Sequence, residues 1–510
     1  MFSYIKSAYH VDKSTKIKID KKNISYQVND LFLDQYRIHI LSNQQVMITY
    51  GNERSKKYST YALDELLEKD IYPGVYEGGP DFKIRGIIEG FYGTPWSQED
   101  RLDVIHFLDQ YHMNAYFYAP KDDQYHRELW REAYPKEAIH KIQELIEETK
   151  TYNLDFYFCI SPGKDFDYTD DKDFEILFHK IDQIIDFGVQ HFSLLMDDID
   201  YQLKGKALEK FKTPGKAHSY ITNRLNEHLK SKLRTYNYVM CPTEYWQNWD
   251  TPYRQELKEL MDPDVIVFWT GYNTIAEYIP DIDGVLASDI FGHDMILWDN
   301  YPVNDMDKDR LFLGPLRNRG KGLANTHIGM ISNPMIQWQA SKIPVITMAM
   351  YMWNTNTYNP EVAYDQAILE FVKDQPHLFH VMKIFVKENE GSLIYYDCYK
   401  DIDEAIKTND LDYLNAYMNA LMDTVKTLKK EFDNKKWLIE VEQWFKQIEK
   451  DYILFSKIYQ KQDIDVIEDV TQGSYHNGSH LIYKLAKHLG LYQGQIYKRE
   501  RPNFWDKKGK

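Results

Sequence analysis

The sequence predicts an α/β protein: a (β/α)8 TIM barrel, with a small α+β domain before it and a helical bundle after it. Three observations carry this. From about residue 83, eight short apolar runs alternate with longer amphipathic stretches. Ahead of them, apolar and polar residues alternate singly, as on half-buried strands. Behind them, apolar residues recur every three or four positions. The predicted domains are 1–80, 81–360 and 361–510, and 510 residues suffice for roughly three domains of ordinary size.

In the first domain, Ile24, Tyr26 and Val28 predict one half-buried strand, and Val46, Ile48 and Tyr50 another. A helix is expected from Ser59 to Glu68, with Leu63, Leu66 and Leu67 on its apolar side. Tyr72-Pro73-Gly74 and Gly78-Gly79-Pro80 read as turn and linker. The eight runs are Ile84–Ile88, Ala115–Tyr118, Phe156–Ile160, Phe192–Met196, Tyr236–Met240, Val265–Trp269, Met295–Trp298 and Ile328–Ile331. Helical patterns such as Gln98–Tyr111, Phe174–Phe187 and Ser219–Leu233 separate them. Eight such units fit a barrel. A doubly wound sheet is the alternative, but no GxGxxG follows the first strand. In the third domain, Leu411, Leu414, Met418, Leu421, Val425 and Leu428 mark one helix face, and Leu438, Val441, Phe445, Ile448 and Tyr452 another. Such faces pack a bundle core. Part of one could also serve a homodimer, so a monomer or a homodimer through this domain is expected.

Composition narrows the function. A net charge of −16 argues against nucleic acid, whose recognition needs a basic surface, and disfavours a polyanionic polysaccharide. Aromatic content is 15%, with 41 Tyr and 11 Trp; the rings can fill cores or wall a sugar site, and composition does not separate the two. Cys159, Cys241 and Cys398 give no disulfide framework, no CxxC and no zinc spacing, which suits a reducing compartment. The opening residues lack a signal-peptide apolar core, and no apolar run has membrane-spanning length. A soluble, cytoplasmic protein without membrane association is expected.

In a barrel of this type, chemistry collects at the C-terminal ends of the strands. The first run leads into Glu89-Gly90-Phe91-Tyr92, and the second into Pro120-Lys121-Asp122-Asp123. The fourth leads into Asp197-Asp198-Ile199-Asp200, and the fifth into Cys241-Pro242-Thr243-Glu244-Tyr245. Thr270-Gly271 follows the sixth; Trp298-Asp299-Asn300, with Asn304-Asp305 beyond, closes the seventh; Asn333-Pro334 ends the eighth. Amides and carboxylates grip hydroxyls and aromatics form walls, so this ring suits a neutral polyhydroxylated ligand. Each member also has a structural reading. Asp197-Asp198 could be a solvated loop or a helix cap, Asn300 and Asn333 turn residues, Lys121 a surface lysine, Cys241 and Trp298 core. No HExxH or GxSxG pattern is present.

Most glycosidases place two carboxylates about 5 Å or about 6.5–9.5 Å apart across the scissile bond. Asp197 and Asp198 are consecutive, so opposite sides of a sugar ring are hard for them to reach. Adjacent carboxylates suit another division of labour. One moves the proton at the leaving oxygen, and the other assists a nucleophile carried by the substrate, such as a 2-acetamido group. Two neighbouring carboxyls also resist ionising together, which favours a proton donor near neutrality.

These residues resemble glycoside hydrolase family 84, the O-GlcNAcases and bacterial β-N-acetylglucosaminidases, some of them named hyaluronidases. The similarity begins in the stretch from Ile84 to Trp96 (IRGIIEGFYGTPW). It continues through Tyr118–Asp123, Ser161–Gly163, Asp197–Asp200, Cys241–Tyr245, Trp269–Gly271, Trp298–Asn300, Asn304-Asp305, Leu311–Pro315 and Asn333-Pro334. The resemblance implies that Asp197 orients and polarises the acetamido group and that Asp198 is the general acid/base. It implies that Tyr245 bonds the acetamido carbonyl, that Cys241 and Thr270 line the methyl pocket, and that Asn300 helps fix the acetamido group. Asp305 would hold the 4- and 6-hydroxyls. Gly90, Lys121 and Asn333 would bind the remaining hydroxyls, and Trp298 and Tyr92 would shape the pocket. It implies no metal and no organic cofactor. The expected function is a retaining exo-β-N-acetylglucosaminidase acting through an oxazoline on an N-acetylglucosamine-bearing glycan or glycoprotein. An endo-acting hyaluronan hydrolase and a non-catalytic glycan-binding protein are the alternatives. The resemblance gives no role to Tyr272-Asn273.

Overall fold

A computed structural model describes residues 2–200, 202–460 and 475–491. Parts of the predicted third domain, residues 461–474 and 492–510, lie outside the described residues. The chain forms two compact units. The first comprises Met1–Asp305, Pro315–Trp338 and Pro344–Gln366; the second comprises Met306–Gly314, Gln339–Ile343 and the chain from Ala367 onward.

The first unit opens on a five-stranded sheet of β1 (Ser7–Tyr9), β2 (Ile24–Val28), β3 (Tyr36–Ile40), β4 (Val46–Tyr50) and β5 (Gly74–Gly78), ordered β1-β5-β3-β4-β2. Strand β5 lies between the two stretches expected to be turns. β4 alternates as its sequence predicts, burying Val46, Ile48 and Tyr50. β2 departs from its expectation: it is the sheet's edge, paired in parallel with β4, and Tyr26 and Val28 stand exposed. The helix Glu53–Leu67 covers β3 and β4. It starts six residues earlier than its apolar face suggests, because Asn52 and Ser55 cap it reciprocally. The buried Arg85 ties this sheet to the barrel, donating to Asp34 at 2.8 Å and to the carbonyl of His112 at 2.9 Å.

The barrel closes on eight parallel strands: β6 (Ile84–Ile88), β7 (Ala115–Tyr118), β8 (Asp155–Ile160), β9 (His191–Leu195), β10 (Asn237–Cys241), β11 (Ile266–Trp269), β12 (Met295–Pro302) and β13 (Gly329–Asn333). Each falls within a residue or so of its apolar run except β12. That strand runs on through Asp299 and Asn300 to Pro302, with an irregular register against β13. The closing pair is β13 with β6. Ile88, Phe117, Tyr157, Leu195, Phe268 and Ile296 fill the interior, so the barrel is a packed core whose chemistry must lie at its rim.

The second unit is helical, and among the described residues no helix is long and apolar enough to cross a membrane. Helix Leu411–Glu431 buries Leu414, Met418, Leu421, Val425 and Leu428, and helix Lys435–Tyr459 buries Val441, Phe445 and Ile448, the faces their periodicity marks. Asp451, on the second of these helices, accepts from Gln447 at 2.8 Å and from Asn477 at 3.3 Å. Burial, which its two amide donors do not offset, raises its carboxyl to about 7. A raised folded value means that stability falls as pH climbs from the ordinary carboxylate range through about 7. Asp451→Asn removes the ionisation and keeps a hydrogen-bonding head. It should raise the thermal midpoint by a few degrees at pH 8, by less at pH 5, where part of the loss has already occurred, and hardly at all at pH 3.

Candidate active site

The barrel gathers every residue marked in the sequence onto its C-terminal rim. Gly90 and Tyr92 follow β6, Lys121 follows β7, and Asp197 and Asp198 follow β9. Cys241 ends β10, with Tyr245 beyond it; Thr270 follows β11. Trp298 and Asn300 lie within β12, Asp305 follows it, and Asn333 ends β13.

The two aspartates stand in different surroundings. Asp197 is buried and accepts from Lys121 Nζ at 2.5 Å, in a pair whose side chains are 8% and 2% exposed. Burial opposes ionisation of Asp197, and the Lys121 ammonium more than offsets it, so the carboxyl lies below its ordinary range. Burial likewise opposes charge on Lys121, and Asp197 outweighs it, raising the ammonium. The ammonium also lies 5.8 Å from the ring centres of both Tyr92 and Trp298. One Asp197 oxygen, Oδ1, is buried with no hydrogen-bond partner, and so is Trp298 Nε1. Buried polar atoms without partners are uncommon and mark places where a ligand completes the bonding.

Asp198 is only partly buried. Its Oδ2 accepts from the Tyr92 hydroxyl at 2.6 Å. Arg127 holds this arrangement, donating to Tyr92 Oη at 2.9 Å and to the Asp198 carbonyl at 3.0 Å. Partial burial, with the Asp198 carboxylate beside it, pushes the Tyr92 phenol up to about 12, so it is a donor at neutral pH. The Tyr92 backbone N–H donates to Asp305 Oδ2 at 2.8 Å, joining the loops after β6 and β12.

The rest of the rim is a chain of amides and hydroxyls. Gly90 N–H donates to Asn333 Oδ1 at 3.2 Å, Asn333 Nδ2 to Asn300 Oδ1 at 2.8 Å, and Asn300 Nδ2 to the Thr274 carbonyl at 2.7 Å. Thr274 Oγ1 lies 3.4 Å from the Tyr245 hydroxyl. Thr270 is buried, with its hydroxyl on the Asn273 carbonyl at 3.0 Å. Cys241 is a small buried side chain whose thiol is pushed well up by burial and by Asp197. Trp298 is 4% exposed and packs edge-on against Phe268. Its indole presses on Gly90, where an added Cβ would come within 2.5 Å of the ring. Gly90→Ala should therefore displace the indole and cost about 1–3 kcal/mol, the usual penalty of overpacking, measured by denaturant unfolding.

Several contributors carry no distinctive sequence signal. Arg127 looks like any loop arginine until the fold brings it to Tyr92 and Asp198. Glu89 reads as a sugar ligand by position, yet it is fully buried and braces the scaffold, accepting from Arg101, Tyr116 and the Trp96 N–H. Asp299, next to Asn300, is likewise consumed in a buried two-bond pair with Arg319 at 2.7 Å.

Comparison with known proteins bears on the same region. Residues 85–387, more than half of the chain, match the family model described as beta-N-acetylglucosaminidase. The Protein O-GlcNAcases of Rattus norvegicus and Mus musculus are each 33% identical over 322 residues, 62% of this chain and 34% of theirs. The chain thus spans about a third of the length of these curated relatives. Among solved structures, an aspartate-to-asparagine mutant of the Thermobaculum terrenum O-GlcNAc hydrolase superposes with a TM-score of 0.73 at 26% identity, covering 80% of this chain and 94% of that one. The CpGH84B structure superposes with a TM-score of 0.70 at 28% identity, covering 90% of this chain and 82% of that one. The match takes in all of the barrel after its first residue, the aspartate pair included, and the chain belongs to the β-N-acetylglucosaminidase family, glycoside hydrolase family 84.

Proposed function

We propose that this chain is a retaining exo-β-N-acetylglucosaminidase that releases terminal β-linked N-acetylglucosamine by substrate-assisted catalysis. The observation that carries the reading is the difference between the two adjacent carboxylates. Asp197 is buried, paired with Lys121 and held ionised, with one oxygen to spare. A fixed negative charge there suits the acetamido N–H: it raises the nucleophilicity of the acetamido oxygen and stabilises the oxazolinium that forms at C1. Asp198 is more open and hydrogen-bonded by Tyr92. That position suits the group that protonates the leaving oxygen, and later takes a proton from water as the oxazoline opens.

The remaining roles follow from donor and acceptor chemistry. The Tyr245 hydroxyl donates to the acetamido carbonyl, and Cys241 and Thr270 enclose its methyl. Asn300 aligns the acetamido group, Asp305 takes the 4- and 6-hydroxyls, and the Gly90 carbonyl, Lys121 and Asn333 hold the other hydroxyls. Trp298 and Tyr92 form walls. Substrates in this reading are N-acetylglucosamine-bearing glycans or glycoproteins. The test is turnover of methyl β-N-acetylglucosaminide followed by proton NMR. The β-anomer should appear first, and a thiazoline mimic of the oxazoline should inhibit strongly. First appearance of the α-anomer, or indifference to the thiazoline, would refute the mechanism.

A further inference from the structure

Two rings that this mechanism does not use stand exposed on loops leaving the same rim. Trp249 is 39% exposed and Tyr272 is 43% exposed, and they pack edge to face with centroids 5.8 Å apart. Single exposed aromatics are ordinary on a protein surface. This pair differs in how firmly the backbone beneath it is held. The fully buried Arg254 donates to the carbonyls of Glu244, Trp246 and Trp249. Gln247 adopts a left-handed φ of 82°, uncommon for a residue other than glycine, and its N–H donates to the Gly271 carbonyl at 2.8 Å. Its carbonyl accepts from Trp269 Nε1 at 2.7 Å. Gly271 itself has a φ of 100°, and a Cβ there would come within 2.7 Å of Ala276, so the turn before Tyr272 requires glycine.

Both loops are also fastened to the catalytic pocket. The Thr270 N–H donates to the Tyr245 carbonyl at 2.9 Å, and Thr274 meets Asn300 and the Tyr245 hydroxyl. Tyr272 is thus bracketed by two pocket residues, and Trp249 lies four positions beyond a third. We propose that Trp249 and Tyr272 form an aglycone subsite for a neutral pyranose, so that the substrate carries N-acetylglucosamine β-linked to another sugar. The inference rests on the function proposed above.

The chemistry of the loops selects this class. The carbonyls of Glu244, Trp246, Gln247, Trp249, Gly271, Asn273 and Thr274 already accept hydrogen bonds within the fold. An extended peptide, which pairs through main-chain groups, finds them engaged. The exposed rings offer their faces, and a pyranose presents an apolar face to match. Residues 242–251 and 270–279 contain Glu244, Asp250 and Glu277 but no lysine or arginine. A glucuronate or a phosphate would find only carboxylates among the charged side chains that these two loops carry.

The test compares kcat/KM of the full chain on chitobiose, methyl β-N-acetylglucosaminide, an N-acetylglucosaminyl-serine peptide and N-acetylglucosaminyl-glucuronate. Wild type should prefer chitobiose to the methyl glycoside by tenfold or more, and to the glucuronate conjugate likewise. Trp249→Ala and Tyr272→Ala should each lower that chitobiose preference about tenfold. Tyr272→Leu, which keeps bulk without a ring, should do the same and guards against a misfolded alanine variant. An unchanged preference in all three variants overturns the subsite, as does a glycopeptide that outruns chitobiose. Failure of wild type on every glycoside overturns the proposed function and the subsite with it. A working enzyme with a flat preference overturns the subsite alone.

Discussion

Asp198→Asn should leave the protein folded and lower kcat/KM on a glycoside with a poor leaving group by about 10²–10⁴-fold, the usual worth of a positioned proton donor. Asn keeps an oxygen to accept from Tyr92, which bonds the wild-type carboxylate at 2.6 Å, so the surrounding loop has no reason to move. The loss should depend on the leaving group. An alkoxide departs only when protonated, whereas a nitrophenolate departs almost unaided. The variant should therefore retain far more activity on a nitrophenyl substrate in the first step. Its second step, in which water opens the oxazoline, loses its base, so the oxazoline should accumulate on activated substrates. A series of aryl glycosides of graded leaving-group acidity measures this. Uniform loss across the series would remove Asp198 from the proton-transfer role.

The barrel is the most legible part of this chain, for a physical reason. Its strands are buried on both faces and read as continuous apolar runs, which their neighbours cannot be mistaken for. β6 and β7 match their runs residue for residue. Legibility falls where burial is one-sided or supplied by something other than side-chain pattern. β2 alternates like a half-buried strand, yet sequence spacing does not say which strand ends a sheet, and its Tyr26 and Val28 face solvent. β5 hides between glycines and prolines that mark its ends. The start of helix Glu53–Leu67 is written in the polar cap Asn52/Ser55 rather than in apolar spacing.

The site divides the same way. Residue types at strand ends are visible in sequence, and the fold brings them together. Pairings between them are not visible, because they join loops far apart in the chain. The 76-residue separation of Lys121 from Asp197 is one case, and the 35-residue separation of Arg127 from Tyr92 another. Adjacency alone made the aspartates two competing carboxyls; the structure gives one of them its own cation.

That cation supports the second large effect. Lys121→Met keeps the aliphatic stem between Tyr92 and Trp298 and removes the charge. Asp197 would then be a buried carboxylate with Oδ1 already unpartnered and Oδ2 newly so. Breaking a buried pair on one side costs about 3–5 kcal/mol, roughly 4–7 °C in thermal midpoint for a unit of this size. The pH dependence should invert. In wild type, the depressed Asp197 carboxyl contributes stability above its unfolded pKa, lost as pH falls through the folded value. The raised Lys121 contributes stability in full below the unfolded lysine pKa, lost as pH climbs through its folded value. Both contributions are complete across the neutral range. Without the lysine, burial is opposed only by weaker influences, the charge of Arg127 among them, and should carry the Asp197 carboxyl above the unfolded value. The variant should therefore lose stability as pH rises from about 4 to 7, and its activity should fall because a protonated Asp197 cannot assist the acetamido group. A second substitution separates the two consequences. Lys121→Met with Asp197→Asn replaces both charges, and removing both partners of a buried pair is close to neutral for stability. The double variant should recover most of the midpoint lost by Lys121→Met and remain inactive. Recovery of activity together with stability would mean that the pair only holds the barrel rim in place; a single variant as stable as wild type at pH 7 would mean that Asp197 draws its charge balance from elsewhere.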